Sequence, residues 1–333
     1  MRKGLSCAAW LTLALGAAAN VAHALDVADA DVAAFIDTTA RERSIDSAWL
    51  TELLAEAQIK SSIVKAISRP AERTKPWHDY RDLFVREPRI SAGARFWASQ
   101  REALDATAER YGIPPRVFVA ILGIETNYGT TQGGYRVIDA LSTLAFAYPP
   151  RAKFFRSELT RFLELAHAGD LDPRTAMGSY AGAMGAPQFM PSSYMAYAVD
   201  ANDDGSRDLW QNWPDIIGSI GNYLDEHGWR PGEPIVVPAT LAEGTDPASL
   251  PKTKLALSHT VGSLRATGLR IDESLADDAK AVFMQLDGDD GPEYWVGLRN
   301  FYVITRYNHS VLYAMAVVTL GNSVADQLAQ AAR

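Results

Sequence analysis

The sequence predicts an α+β protein that is mainly helical and carries a small inserted β subdomain. Over most of the chain, apolar residues recur at the spacing of amphipathic helices, as in 27–67, from about residue 92 onward and in 311–320. Between residues 231 and 292 this periodicity gives way to short runs of β-branched and aromatic residues, separated by glycine, proline and aspartate. A helical body interrupted by a β insertion accounts for both patterns.

Changes in residue composition and hydrophobic periodicity divide the chain into five parts. Residues 27–67 indicate two or three helices, and 69–89 are interpreted as an irregular, aromatic-rich connecting segment. Strands are predicted at 234–240, 281–286 and 293–298, the last two joined by a D-G-D-D-G-P turn. The expected parts are a signal peptide (1–24), an N-terminal helical lobe with its connecting segment (25–90), a main helical core (91–230), the β subdomain (231–294) and a C-terminal return to the core (295–333).

Composition excludes several classes of protein. Of the 333 residues, 47% are hydrophobic and 22% are charged, which excludes a disordered chain and a multi-span membrane protein. The chain has 32 Lys and Arg against 40 Asp and Glu, a formal net charge of -8. Because no net basic field is available to hold a phosphate backbone, we expect no nucleic-acid partner.

The amino terminus is typical of a cleaved secretory signal in residues 1–24. It has a basic start at Arg2 and Lys3, an apolar stretch over 5–19 and the small-x-small motif A-H-A at 22–24. We expect cleavage directly after this motif. The apolar stretch is too short for a permanent membrane anchor, so the mature protein should be soluble, without a transmembrane segment.

Cys7 is the single cysteine of the chain. Gly4 stands three positions before it, where a lipoprotein signal would have leucine, so Cys7 is interpreted as part of the signal and not as a lipid-bearing residue. The mature chain would then contain no cysteine. This excludes a disulfide framework and a thiol nucleophile.

Glu125 is the candidate catalytic residue. It follows the run V-F-V-A-I-L-G-I (117–124), which is apolar on every side and therefore predicts a fully buried helix. Glu125 lies on the same side of this helix as Val117 and Ile121, where water is scarce. Desolvation should raise its pKa above the value of about 4.3 of a free glutamate, which is how a general acid is made at neutral pH. The alternative is a structural glutamate that caps the helix or pairs with an arginine.

Two loops near this helix carry side chains suited to a sugar groove. T-N-Y-G (126–129) and Q-G-G-Y (132–135) supply polar and aromatic groups directly after the acid. A glycine-rich run at 178–191 offers Ser and Gln, and its glycines would let backbone approach a ligand closely. An ordinary irregular loop remains the alternative for this run.

Three blocks of sequence carry a family resemblance. G-I-E-T-N-Y-G (123–129), G-S-Y-A-G-A-M-G-A-P-Q-F-M-P-S-S-Y (178–194) and N-F-Y-V-I-T-R-Y-N-H-S-V-L-Y (300–313) resemble the lytic murein transglycosylase B family, glycoside hydrolase family 103. The likeness extends over about residues 76–321. It implies a lysozyme-like catalytic core with an added helical lobe and β subdomain, in a periplasmic enzyme that acts on peptidoglycan glycan strands.

The resemblance also implies roles for individual residues. The catalytic acid of the family falls on Glu125. Without the resemblance, Tyr223 and Tyr313 would be core residues on apolar helices, and Tyr307 with Asn308 would be a turn. The substrate-binding positions fall on Ser179, Gln188, Tyr223, Tyr307, Asn308 and Tyr313.

A single carboxylate is nominated for the chemistry, although glycosidases normally use two. Asp139 is interpreted as a partner of the helix dipole and not as a nucleophile. The resemblance implies that Glu125 first protonates the oxygen between N-acetylmuramic acid and N-acetylglucosamine. It then accepts a proton from the muramoyl C6 hydroxyl, which closes a 1,6-anhydro ring. The alternatives are a hydrolytic muramidase of the same fold and a non-catalytic peptidoglycan-binding scaffold.

Residues 200–211 follow the order of oxygen ligands in an EF-hand loop, with a glycine at position 6. Gln211 replaces the bidentate glutamate at position 12, so we expect weak, structural calcium binding. An aspartate-rich turn without metal is the alternative. The histidines show no His-x-x-x-His spacing, so zinc is not expected, and no cofactor is expected for the chemistry, which a monomer would perform. The predicted calcium ligands are Asp200, Asn202, Asp204, Ser206 and Asp208.

Overall fold

A computed structural model of the protein describes residues 22–68 and 75–331. The predicted signal peptide up to residue 21, including Cys7, lies outside the described residues, so the signal and the role of this cysteine stay predictions. The described chain has helices packed around one large apolar core and a β subdomain with a smaller core.

The N-terminal lobe consists of three helices and a two-stranded sheet. Asp29 and Asp46 cap the first two helices, since their carboxylates accept hydrogen bonds from the N–H groups of Asp31 and Ala48 at 2.8 and 2.7 Å. The helices agree with the predicted two or three, whereas the sheet is a feature that the sequence analysis missed. The elements are α1 (Ala30–Arg43), α2 (Ser47–Ala55), α3 (Ser61–Ile67), β1 (Ala22–Ala24) and β2 (Gln58–Lys60).

Strand β1 consists of the last three residues of the predicted signal peptide. It pairs antiparallel with β2, with His23 opposite Ile59, and the N–H of Leu25 continues the pairing to the carbonyl of Ala57 at 2.8 Å. Cleavage after Ala24 would remove this strand and leave Leu25, which is buried, at the amino terminus. The cleavage position stays a prediction.

The connecting segment contains a helix, α4 (Trp77–Phe84), in a region predicted to be irregular. Helix α5 (Glu87–Ser99) likewise begins before the predicted start near residue 92. Trp77 and Tyr80 are three residues apart and both buried, so they form the inward face of α4. The prediction of irregular structure was wrong for 77–84 because two buried positions in a helix of 8 residues are too few to reveal a period.

The helical body surrounds α7 (Pro115–Thr126), which begins at a proline and is buried throughout 117–123, as its apolar run predicts. The helix ends at Asn127, whose backbone is left-handed, with φ at 48°. Chain direction therefore changes sharply just after Glu125. The other elements of the body are α6 (Arg101–Tyr111), α8 (Val137–Ala147), α9 (Ala152–Ala168), α10 (Pro191–Tyr197), α11 (Trp213–Glu226), α13 (Arg299–Tyr307), α14 (Val311–Ala331), β3 (Tyr135–Arg136) and β4 (Met177–Gly178).

The C-terminal helix α14 is longer than the predicted apolar helix of 311–320. Among the described residues it is the one helix long and apolar enough to cross a membrane, and 44% of its apolar window is buried inside the molecule. Tyr313, Leu320 and Val324 are among its buried residues, and it packs beside α7. These buried residues belong to the large apolar core.

The β subdomain is a five-stranded antiparallel sheet in the order β6-β8-β9-β5-β7. The three predicted runs are β5, β8 and β9, and β8 and β9 form the expected hairpin, with Gly288 opposite Gly291. One face of β8 packs on the helical body through Val282 and Met284, while Phe283 belongs to the subdomain's own core. The elements are β5 (Val236–Leu241), β6 (His259–Thr260), α12 (Val261–Arg265), β7 (Leu269–Ile271), β8 (Lys280–Gly288) and β9 (Gly291–Gly297).

Asp139 joins the N-terminal lobe to the helical body. Its buried carboxylate accepts hydrogen bonds from Arg136 Nη2 at 2.7 Å and from the N–H of Gln58 at 2.9 Å, and Lys60 Nζ lies 2.8 Å away. Gln58 and Lys60 belong to β2, whereas Asp139 lies in the first turn of α8. This position agrees with its interpretation as a partner of the helix dipole, and the two cations compensate its charge.

Replacing Asp139 with asparagine should lower the free energy of unfolding by about 2–3 kcal/mol, because hydrogen bonds between a buried carboxylate and its cationic partners are lost. Urea denaturation measures this change. Glu56→Gln is the matched control, since it removes a solvent-exposed carboxylate that pairs with Arg174, and it should alter stability little. An Asp139→Asn variant as stable as Glu56→Gln would contradict the role of Asp139 in joining lobe and body.

Candidate active site

Glu125 lies in the last turn of α7, where the buried helix reaches the surface. Glu125 is half-buried. Oε1 accepts a hydrogen bond of 2.7 Å from the hydroxyl of Tyr313, a residue 188 positions later in the chain. The helix is buried as predicted, whereas its terminal carboxylate is only partly enclosed.

The glycine-rich loop, residues 178–191, is attached directly to the helix end that carries Glu125. Thr126 Oγ1 donates a hydrogen bond to the carbonyl of Ala186 at 3.0 Å. From the other side, the hydroxyl of Tyr307 donates to the carbonyl of Pro187 at 2.6 Å. Helix α7, this loop and the end of α13 therefore meet at the carboxylate.

Gln188 projects from this loop in a strained conformation. Its φ is 54°, in the left-handed region that non-glycine residues rarely adopt and that is often retained for a functional reason. Its amide nitrogen donates to the carbonyls of Gly185 at 2.9 Å and Gln132 at 3.1 Å. Within the described chain, the amide oxygen has no recorded hydrogen-bond donor, so it remains available to accept from a ligand.

Ser179 stabilises the loop and also presents a hydroxyl. Its Oγ accepts hydrogen bonds from the N–H groups of Ala181 at 3.3 Å and Ala183 at 3.1 Å. Because both contacts use the oxygen as acceptor, the hydroxyl hydrogen remains able to donate to a ligand.

The glycines of the loop have a different role from the one expected. A Cβ added at Gly178 would lie 2.3 Å from the carbonyl oxygen of Ala183, and one at Gly185 would lie 2.3 Å from that of Leu209. These glycines therefore permit close contact between protein backbones, a role that the sequence analysis did not consider.

Three of the predicted substrate-binding residues form a continuous series of rings, which we call the tyrosine row: Tyr313, Tyr307 and Tyr223. The rings of Tyr313 and Tyr307 are nearly parallel, with centroids 6.5 Å apart, and those of Tyr307 and Tyr223 meet edge to face at 4.9 Å. The hydroxyl of Tyr223 donates to the carbonyl of Arg306 at 2.6 Å. Asn308, the remaining predicted residue, directly follows Tyr307.

The electrostatics of the tyrosine row keep its phenols protonated. Burial raises the pKa of Tyr307 and Tyr313 well above the ordinary value, and the negative charge of Glu125 raises it further. Burial likewise raises the pKa of Tyr223. The hydroxyl of Tyr313 therefore remains a hydrogen-bond donor to Glu125 throughout the neutral pH range.

The predicted calcium loop lies between α10 and α11. Ligand oxygens of Asp200, Asp204 and Asp215 lie within 4.8 Å of one another. Asp208, which the sequence analysis included, is not part of this cluster, and its Oδ1 accepts hydrogen bonds from the N–H groups of Trp210 at 2.7 Å and Gln211 at 3.1 Å. Asp215 was missed because it belongs to the first turn of α11, beyond the twelve positions of the EF-hand template.

The charge in this loop suits a cation. Burial raises the pKa of Asp215, hydrogen bonds from the N–H groups of Ala201 and Asp208 oppose this rise, and the negative charges of Asp200 and Asp204 add to it. A divalent cation between these carboxylates would remove their mutual repulsion. Oxygen-only donors are the ligands that calcium prefers.

Known proteins resemble this chain over most of its length. The family model described as the Transglycosylase SLT domain matches residues 28–322. Membrane-bound lytic murein transglycosylase B from Escherichia coli (strain K12) is 42% identical over 303 residues, which cover 87% of this chain and 81% of the relative. The family resemblance identified from the three sequence blocks is confirmed.

Solved structures agree with this match. Lytic transglycosylase SltB1 from Pseudomonas aeruginosa has a TM-score of 0.86 at 46% identity, covering 90% of this chain and 98% of that chain. Slt35 from Escherichia coli, in complex with calcium, has a TM-score of 0.83 at 38% identity, covering 91% and 96%. SltB3 from Pseudomonas aeruginosa, in complex with NAG-anhNAM-pentapeptide, has a TM-score of 0.78 at 30% identity, covering 88% and 79%.

These neighbours are lytic transglycosylases with a lysozyme-like fold, which confirms the expected fold class. Their names differ in cellular location, since the Escherichia coli relative is called membrane-bound and SltB1 is called soluble. The family model, the curated relative and the solved structures all lead to one assignment. The chain belongs to the Transglycosylase SLT domain family and is a peptidoglycan lytic transglycosylase.

Proposed function

We propose that this enzyme cleaves the β-1,4 bond between N-acetylmuramic acid and N-acetylglucosamine, forming 1,6-anhydromuramoyl ends, with Glu125 as acid and then base. The hydrogen bond between Tyr313 and the half-buried Glu125 carries the proposal, because it fixes one carboxylate beside the tyrosine row and the glycine-rich loop. Asp139, the other carboxylate considered, is already compensated by Arg136 and Lys60.

In the first step, protonated Glu125 donates its proton to the glycosidic oxygen while the bond from C1 to that oxygen breaks. Two features favour the protonated form before the reaction. The side chain is half-buried, and it lies at the negative end of the α7 dipole, which disfavours a nearby anion. The departing N-acetylglucosamine unit receives the proton as a hydroxyl hydrogen.

In the second step, ionised Glu125 accepts the proton of the muramoyl C6 hydroxyl while that oxygen forms a bond to C1. Tyr313 stabilises the carboxylate between the two steps, since it donates a hydrogen bond to Oε1 and its phenol remains protonated. No water is consumed, and Glu125 ends the cycle protonated. Holding O6 near C1 makes the attack intramolecular, an advantage of up to about 7–11 kcal/mol in ideal cases.

The remaining residues of the site have the chemistry to hold the sugar. The amide oxygen of Gln188 is available to accept from an N-acetyl N–H or a hydroxyl, and the hydroxyl of Ser179 is available to donate. Asn308 offers a further amide group. Within the tyrosine row, the half-buried Tyr307 supplies aromatic surface for a sugar ring, and the anhydromuramoyl compound bound to SltB3 is the kind of product that this route yields.

We also propose a structural calcium ion held by Asp200, Asp204 and Asp215, with Asn202 and Ser206 completing the oxygen set. Bound calcium would supply positive charge to a loop that precedes α11, the helix that carries Tyr223. The calcium complex of Slt35 supports this assignment by family relationship.

Export to the periplasm follows from the substrate, because peptidoglycan lies outside the cytoplasmic membrane. The basic and apolar residues of 1–24 support export, and we propose a soluble mature protein without a lipid anchor.

Glu125→Gln should abolish turnover and retain glycan binding, because glutamine keeps the size and polarity of the side chain but cannot donate an acidic proton. Release of soluble fragments from purified sacculi measures turnover, and mass spectrometry should find wild-type products that are one water lighter than hydrolysis products. Glu109→Gln, an exposed change on α6, is the control and should leave activity intact. Digestion of sacculi by Glu125→Gln would contradict the catalytic assignment, and products of hydrolytic mass would indicate a muramidase.

Tyr313→Phe should lower activity and move the alkaline limb of its pH profile upward by about one pH unit. The change removes a donor that favours ionised Glu125, and a hydrogen bond to a charged group contributes about 1.5–3 kcal/mol. Since the first step needs protonated Glu125, activity falls as pH rises through its pKa, so a higher pKa preserves activity to higher pH. Tyr223→Phe is the control, because its hydroxyl bonds to the carbonyl of Arg306. An alkaline limb that stays in place in Tyr313→Phe would refute the role of this hydrogen bond.

Asp215→Asn should remove the rise in melting temperature that calcium produces in the wild type, because one of the three clustered carboxylates is lost. A ligand at 100 times its Kd stabilises the folded state by about 2.7 kcal/mol. Asp208→Asn is the control and should retain the calcium response, since Asp208 is not part of the cluster formed by Asp200, Asp204 and Asp215. If calcium instead failed to raise the melting temperature only in Asp208→Asn, the ligand would be Asp208, as the sequence analysis expected, and not Asp215.

A further inference from the structure

The tyrosine row does not end at Tyr223. The ring of Tyr223 stacks on His227 at 4.1 Å with an interplanar angle of 22°, and it meets Tyr197 edge to face at 4.8 Å. Tyr197 and His227 also contact each other, with centroids 5.2 Å apart. Contacts between aromatic rings therefore continue from Tyr313, beside the candidate catalytic carboxylate, through Tyr307 and Tyr223 to this pair.

Exposure differs among the rings of this series. Tyr313 is 1% exposed and Tyr223 is 8% exposed, whereas Tyr197 and His227 are only half-buried. Tyr313 and Tyr223 pack within the core, whereas Tyr307 and the outer pair reach solvent. An elongated ligand bound at Glu125 and along the row would meet this pair after leaving the inner rings.

The outer pair is held in place before any ligand binds. Tyr197 is the last residue of α10, and its carbonyl accepts a hydrogen bond from Asn222 Nδ2 at 3.1 Å. His227 follows α11, and its Nδ1 lies 2.7 Å from the carbonyl oxygen of Tyr223. Because a carbonyl oxygen only accepts, Nδ1 carries the proton in this contact. In the neutral imidazole, Nε2 is then an acceptor for a ligand hydroxyl.

Resting on the proposed function, we propose that Tyr197 and His227 form an outer saccharide site. It binds a sugar unit of the glycan strand beyond those held by the tyrosine row. The rings supply a rigid apolar surface for the C–H face of a sugar, and Nε2 of His227 accepts from a sugar hydroxyl. Several rings with a few polar groups are typical of a pre-formed ligand site.

If this outer site binds glycan, kcat/KM should depend on the length of the glycan strand. A site at the outer end of the series contributes only when the bound glycan is long enough to reach it. Loss of the outer ring contacts should therefore reduce kcat/KM on long strands by about tenfold, through KM, and leave the shortest cleavable substrate unaffected.

The test compares kcat/KM on peptide-free glycan strands that have been separated by length. Tyr197→Leu and His227→Ala should lose activity on long strands only, whereas Tyr197→Phe, which keeps the ring, should behave as the wild type. Phe154→Leu is the matched control, because Phe154 is an aromatic residue on α9 that is 40% exposed. Thermal melting verifies that each variant is folded.

Two results would overturn the outer site. An equal loss of kcat/KM on short and long strands in Tyr197→Leu and His227→Ala would mean that the pair only supports Tyr223. A loss of kcat/KM no greater than that of Phe154→Leu would mean that the pair does not bind glycan. Calorimetric binding of long and short strands to the Glu125→Gln variant and to the same variant with Tyr197→Leu separates this proposal from the catalytic one. A length-dependent loss of affinity would support the outer site even if Glu125 proved not to be the acid.

Discussion

A hydrogen bond between two distant parts of the chain determines how this site is organised. Glu125 ends a helix that is buried throughout 117–123, and Tyr313 lies in a second core helix. Their contact places a partly enclosed carboxylate next to a protonated donor. The acid and base roles proposed for Glu125 need both environments, since apolar packing favours the neutral form and the donor favours the anion. The geometry of α7 and α14 provides them together.

The loop around the carboxylate is organised by contacts with its own backbone. Thr126 and Tyr307 hold the carbonyls of Ala186 and Pro187, and Gln188 is fixed in a left-handed conformation. Such strain persists where the surrounding structure over-determines the backbone. Rigid side chains at a reacting centre reduce the entropy that substrate binding must otherwise remove. The close contacts at Gly178 and Gly185 serve the same end, because they let neighbouring backbone segments meet at short distance.

Two clusters of carboxylates illustrate how differently negative charge is managed in the molecule. Asp139 is neutralised within the protein by Arg136 and Lys60, which makes it part of the contact between lobe and body. Asp200, Asp204 and Asp215 instead face one another, and their charges raise the pKa of Asp215 in addition to its burial. The first arrangement is complete without a ligand, whereas the second suits a divalent cation. This contrast separates a structural aspartate from candidate metal ligands, although Asp139 and Asp215 both lie in the first turn of a helix.

Local patterns in the sequence were sufficient to predict the features that depend on residues close together in the chain. The all-round apolar run of α7, the hairpin of β8 and β9, and the three family blocks could be identified because their signals lie within short stretches of chain. Helix α4, the strand pair β1 and β2, and the place of Asp215 beside Asp200 and Asp204 were missed, since each is either too short to show a period or lies outside a local template. The sequence thus determined the fold class, the family and Glu125 as the candidate acid. Tertiary structure alone decided that Tyr313 bonds to Glu125, that Asp215 joins Asp200, and that the row of rings continues to Tyr197 and His227, because these contacts join residues whose proximity depends on how the helices pack.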